Sequence, residues 1–200
     1  MKKIKTLFER VIVDHEIVDI LPNVAEGCEW VLKGEGIATR KLDGTACMVK
    51  DGKLYARYDF YTIKRGKKKQ RVLPEGAVPC QDKPDEITGH FPHWVPVEIN
   101  PRLYSWHIKA FENQPGLEDG TYELIGEHFK RNPEHMEHGD KLVKHGSIVL
   151  ENVPRTFEGI REYLKEYDIE GIVFHRENGD MCKIKRTDFG FMWNGSYSSR

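Results

Sequence analysis

An α+β domain, built on antiparallel sheets with flanking helices, is the architecture that three features of this 200-residue sequence predict. Short apolar runs alternate with polar residues and are bounded by glycine, as half-buried strands require. Asp51-Gly52 lies between two such runs, and a two-residue hairpin with positive φ at both turn positions favours that pair. Phe157, Ile160, Tyr163 and Leu164 fall three and four apart, the spacing of one apolar helix face. A chain of this length can bury a sizeable core, and residues 1–200 are expected to form a single domain.

From the start of the chain, residues 4–20 mix apolar positions with charges and fit a helix, or a helix followed by a strand. Glu29–Leu32 and Gly36–Lys41 read as short strands. Thr45–Lys50 and Lys53–Tyr58 are the arms of the hairpin. Residues 64–95 are expected to be a basic, loop-rich insertion, because five of the ten prolines fall between Pro74 and Pro96. Tyr104–Lys109 fits a strand or a short helix, and Gly120–Gly126 a strand bounded by glycines. Residues 128–146, rich in His, Lys, Asp and Gly, read as a loop, 156–166 as an amphipathic helix, and 169–174 and 181–185 as strands joined at Asn178-Gly179.

Hydrophobic residues make up 38% and charged residues 32%, which suits a globular chain. No run of about 18 apolar residues spans a membrane, and the charged N-terminus lacks an apolar signal core. The expected location is intracellular and cytoplasmic. Cys28, Cys47, Cys80 and Cys182 show no C-x-x-C spacing and read as reduced, mostly buried thiols. The net charge of −1 argues against a protein that coats nucleic acid. Lys64, Arg65, Lys67, Lys68, Lys69 and Arg71 nonetheless place six cations in eight residues, a candidate RNA contact. The histidines at 128, 135, 138 and 145 form no H-E-x-x-H pattern, so the loop is read as polar rather than as a zinc site. Trp30, Trp94 and Trp106 are assigned to the core.

Four short pieces carry chemistry: Lys41-Leu42-Asp43-Gly44, Glu123 within Tyr122–Gly126, Glu170 before Gly171-Ile172-Val173-Phe174, and Lys183-Ile184-Lys185. A lysine is a poor nucleophile while protonated, and its ordinary pKa is about 10.4. Neighbouring cations or desolvation lower that value. Lys183 and Lys185 are two apart on a strand, share a face, and supply such cations while holding a phosphate. Glu170 and Glu123 are carboxylates on or beside strands, suited to a magnesium ion. Gly171 leaves room for a ligand to approach the backbone.

Taken in this order, the four pieces resemble the nucleotidyltransferase core of ATP-dependent RNA and DNA ligases, an ATP-grasp-like adenylation domain. The likeness runs from about residue 28 to 186. It is greatest to the RNA ligase 1 group of 5′-to-3′ RNA ligases, through Ala38–Thr45, Glu123–Gly126 and Cys182–Arg186. The resemblance implies that Lys41 carries AMP through a phosphoramidate bond. It implies that Thr39, Arg40, Asp43, Gly44, Arg57, Glu123, Lys183 and Lys185 bind the nucleotide, with Glu123 on the ribose and the lysine pair at the α-phosphate. Glu170 matches the glutamate associated with Mg2+ (or Mn2+). The substrates so implied are ATP and an RNA with 5′-phosphate and 3′-hydroxyl ends. Fifteen residues follow Lys185, so no C-terminal OB-fold domain is expected, and ATP rather than NAD is the expected donor. A capping-type guanylyltransferase, an adenylyltransferase acting on something other than RNA, and a non-catalytic nucleotide- or RNA-binding module are the alternatives.

Overall fold

The computed structural model describes residues 4–13, 16–63, 71–86 and 88–193. Of the basic run, residues 64–70 lie outside the described residues and Arg71 within them. The strands in chain order are β1 (Lys5–Thr6), β2 (Phe8–Val13), β3 (Glu16–Val24), β4 (Ile37–Lys41), β5 (Thr45–Lys50), β6 (Lys53–Tyr61), β7 (Val78–Pro79), β8 (His90–Pro96), β9 (Gly120–Gly126), β10 (Asp140–Lys144), β11 (Gly171–His175) and β12 (Met181–Lys185). The helices are α1 (Glu29–Leu32), α2 (Ser105–Glu112) and α3 (Phe157–Glu166). No helix among the described residues is long and apolar enough to cross a membrane.

The chain divides into two compact units: a central one, Gly44–His145, and a terminal one that joins Lys3–Asp43 to Gly146–Arg200. The terminal unit holds a four-stranded sheet in the order β1-β12-β11-β4 and the separate β2-β3 pair. Its pairs are antiparallel except β1 with β12. One face of the four-stranded sheet is apolar: Ala38, Ile172, Phe174 and Ile184 are all buried. Ile160 and Leu164 of α3 pack in the same core, which also holds Leu7, Phe8 and Val31. Thr156 caps α3, its hydroxyl accepting the Gly159 N–H at 3.1 Å. The central unit is a six-stranded antiparallel sheet in the order β10-β9-β5-β6-β8-β7. Its core collects Cys47, Val49, Leu54, Ala56, Val95, Tyr122, Leu124 and Leu142.

The structure is α+β and antiparallel in the main. The Asp51-Gly52 hairpin forms with φ of 51° and 70° at its two turn residues. The α3 helix and the strands β4, β9, β11 and β12 lie where the sequence places them, within two residues at either end.

Several expectations are corrected. Lys5–Thr6, Phe8–Val13 and Glu16–Val24 are strands, not helix. Register shifts between Phe8 and Arg10 and between Val11 and Ile12 break the two-residue alternation, so the apolar spacing resembles a helix period. Glu29–Leu32 is a helical turn, because adjacent Trp30 and Val31 are both buried and a strand would send them to opposite faces. Tyr104–Lys109 resolves as part of α2. His90–Pro96, read as loop, is β8; β7 covers only two of its residues, so the prolines interrupt little of a ladder. Asp140–Lys144, also read as loop, is the edge strand β10, whose charged residues suit an edge and whose buried residue is Leu142. Trp30 and Trp94 are core residues, but Trp106 is 41% exposed and stacks on His128.

The cysteines differ as well. Cys28 and Cys182 are joined in a disulfide, with Cα atoms 6.2 Å apart, while Cys47 and Cys80 are thiols. Residues 154 apart in sequence, with no local motif, give no sign of pairing. Denatured but unreduced protein is expected to take up two equivalents of alkylating reagent, and reduced protein four, by intact mass. Four in both cases would contradict the bridge.

Candidate active site

The polar face of the terminal sheet follows from strand register. Lys41 pairs with Gly171, which pairs with Lys185. Thr39 pairs with Val173, which pairs with Lys183. Alternation therefore puts Lys41, Thr39, Lys183 and Lys185 on one face, opposite Ala38, Ile172 and Ile184. Gly171 lies between Lys41 and Lys185, and a Cβ there would meet Ile184 O at 2.3 Å. It is the approach of β12 that requires glycine here, in place of the ligand access expected from sequence.

Glu170, 4% exposed, precedes this glycine and joins the lysines. Lys41 Nζ donates to Glu170 Oε2 at 2.5 Å, and Lys185 Nζ lies 2.9 Å from Oε1. One buried carboxylate is thus shared by two ammonium groups, each of which would otherwise be desolvated without compensation. Lys185 is anchored in turn: its N–H donates to Asp188 Oδ2, and Arg10 donates to Asp188 Oδ1.

Lys183 has a different environment. Burial, and then repulsion from Lys185, Lys41 and Arg10, brings its ammonium down to about 8, against a weaker opposing effect of Glu170. The sign for stability follows. The folded state releases this proton at a lower pH than the unfolded chain, so stability rises as pH goes from about 8 to 10.5. A difference of this size amounts to at most about 3 kcal/mol. Lys183→Met is expected to abolish that rise. Urea midpoints of variant and wild type that climb in parallel between these pH values would contradict the assignment.

Three further predicted residues lie in the terminal unit. Thr39 is 1% exposed, and its hydroxyl donates to Val173 O at 3.1 Å and contacts His175 Nε2 at 2.9 Å. Arg40 alternates to the face opposite Lys41. Asp43 is 7% exposed and accepts the Trp193 indole N–H at 2.9 Å.

In the central unit, Cys47 pairs with both Ala56 and Tyr122 on the core side. One residue away, Ala46 pairs with Glu123, which places Glu123 and Arg57 together on the other face of the sheet. Arg57 Nε donates to Asp59 Oδ1 at 3.2 Å. Glu123 Oε1 accepts the Gly44 N–H at 3.0 Å, and Oε2 contacts His145 Nε2 at 2.8 Å. A Cβ on Gly44 would meet Leu124 O at 2.2 Å, so only glycine brings its N–H to that carboxylate.

The structure therefore gathers Lys41, Glu170, Lys183 and Lys185 in the terminal unit, and Gly44 with Glu123, and Arg57 on the same face, in the central unit. Arg10, Asp188 and His145 are the residues that sequence reasoning missed. Arg10 and His145 act through long-range contacts, while Asp188 also reaches back three residues to the Lys185 N–H in a capping box. Such an arrangement supplies an amine next to a proton acceptor, flanked by two cations able to hold a phosphate. Both Glu170 oxygens carry ammonium groups, and no three His, Cys, Asp or Glu side chains among the described residues could hold a metal ion.

Comparison with known proteins finds similarity to one family. The model of the RNA ligase 1 family matches residues 114–198. RNA ligase 1 of Rattus norvegicus is 29% identical over 228 residues, covering 78% of this chain and 68% of the relative. RNA ligase 1 of Pongo abelii is 28% identical over 228 residues, with the same coverage, and that of Danio rerio 28% over 226.

Proposed function

We propose, from the RNA ligase family assignment that the matched family model and its relatives support, that this chain is an ATP-dependent RNA ligase working through lysyl-AMP on a nucleotidyltransferase fold. The observation that carries the reading is the shared carboxylate: Glu170 holds Lys41 and Lys185 at once, with Lys183 on the same sheet face.

In the first step the Lys41 amine attacks the α-phosphorus of ATP. An N–P bond forms, the P–O bond to the β-phosphate breaks, and pyrophosphate leaves with the electron pair. Lys41 must first give up the proton it shares with Glu170, and that carboxylate is the acceptor in contact with it. Lys183 and Lys185 offset charge on the phosphates. AMP then passes to an RNA 5′-phosphate, and a 3′-hydroxyl attacks the activated end and releases AMP. Magnesium or manganese enters with ATP as its counter-ion and so as part of the substrate. Glu170 alone, already bridging two lysines, does not fit a resident metal ion. Asp43 and Thr39 hold the nucleophile's strand and loop, Glu123 takes the ribose, Arg57 takes phosphate or ribose, and the basic run at 64–71 contacts RNA.

Incubation with ATP labelled at the α-phosphate is expected to label the protein, and a 5′-phosphorylated RNA to remove the label and be joined. Labelling by GTP in preference to ATP would replace this reading with a guanylyltransferase. Label that RNA never accepts would replace it with another adenylyltransferase, and RNA binding without pyrophosphate release would indicate a binding module.

A further inference from the structure

The reading above gives Glu123 to the ribose, and what fixes that carboxylate has no counterpart in the sequence motif. Glu123 stands on β9 with its side chain 14% exposed. An ionised carboxylate only accepts hydrogen bonds and has about four lone-pair sites. Gly44 N–H occupies one on Oε1, at 3.0 Å. His145 Nε2 occupies one on Oε2, at 2.8 Å, and must be the donor there.

His145 is placed for this single contact. It follows the last residue of β10, and its N–H donates to Thr121 O at 3.0 Å, which carries the β9–β10 ladder one residue further. The backbone is thereby tied to the strand that bears Glu123. The other ring nitrogen, Nδ1, is buried without a hydrogen-bond partner among the described residues. A buried polar atom left without a partner costs stability and calls for an explanation. Here the ring gives up one polar contact and keeps the bond to the carboxylate.

We infer that His145 is a positioning residue for nucleotide recognition: it holds Glu123 so that one lone pair on each oxygen remains for the vicinal hydroxyls of a ribose. The ligand class is a nucleotide with an intact cis-diol. Without His145 the Gly44 bond remains, but the carboxylate can turn about it, and the two free lone pairs no longer match two adjacent hydroxyls. The inference rests on the proposed role of Glu123 and does not require the chemistry at Lys41.

The test is the affinity of AMP and of 2′-deoxy-AMP for wild type, His145→Ala and His145→Gln. The glutamine amide also donates from the end of a side chain and serves as the conservative variant. Wild type is expected to prefer AMP by about tenfold, the scale of one hydrogen bond to a charged group. His145→Ala is expected to bring that preference close to one, and His145→Gln to keep most of it. In His145→Ala the Gly44 amide should also exchange with solvent faster, by about tenfold or less since one oxygen still holds it. Equal affinity of wild type for the two nucleotides, or an equal loss for both in His145→Ala, would overturn the inference. A retained preference for AMP in a protein that ATP never labels would instead overturn the ligase reading and leave this one standing.

Discussion

Lys41→Ala is expected to lose covalent AMP entirely while keeping its fold. The variant still pairs Glu170 with Lys185 at 2.9 Å, so the buried carboxylate is not orphaned. The Lys41 side chain is already 22% exposed, and its removal leaves no deep cavity. A stability loss of about 1 kcal/mol is the expected scale for such a site. No other group takes the place of the bond-forming atom, so labelling should fall to background. Lys41→Arg sharpens the result. Arginine keeps the charge and the contact to Glu170 but remains protonated at any working pH. It should restore the stability and leave labelling at background. A Lys41→Arg variant that still labels would remove Lys41 from the chemistry.

Glu170→Ala should be damaging in two ways. It leaves Lys41, Lys185 and Lys183 on one face without their shared counter-charge. Removing one partner of a buried pair costs about 3–5 kcal/mol, and the partial exposure of both lysines places this case at the lower end. It also removes the acceptor in contact with the Lys41 proton. The rate of self-adenylylation should fall by about 10²–10⁴-fold, the usual contribution of a positioned base. Glu170→Gln separates the effects: it keeps the shape and one acceptor oxygen, so part of the stability returns while the rate does not. Thermal melts and single-turnover labelling on the same preparations read the two quantities. Full activity in the glutamine variant would show that the carboxylate only braces the lysines.

How far the sequence reaches depends on where information is stored. Lys183 and Lys185 were legible as a pair because period-two alternation on a short strand puts both on one face, and Lys41 and Glu170 were legible through their motifs. The register Lys41–Gly171–Lys185 is a tertiary fact, and it alone reveals that one carboxylate spans both lysines. Sequence reasoning also assigned the cations to lowering the pKa of Lys41. In the structure burial acts first on Lys183, because depth within the sheet face decides which ammonium is desolvated, and depth is invisible in a local pattern. The edge strand β10 and the bulged β2–β3 pair were missed for a related reason: charge on an edge and register shifts both erase the alternation that marks a strand. His145 and the Cys28–Cys182 bridge depend on partners 22 and 154 residues away, and no spacing rule reaches them.

Lys41 and Lys183 share one sheet face, so the position of the adduct shows which amine reacts. Lys183, its ammonium brought down to about 8 by burial, is the nucleophile that a simple reactivity argument would favour. Lys41 has the acceptor. Protein incubated with ATP and magnesium, digested under neutral to basic conditions and mapped by mass spectrometry, locates the adduct. One AMP is expected on the peptide containing Lys41, absent after addition of 5′-phosphorylated RNA. An adduct on Lys183, or none on any lysine, would contradict this.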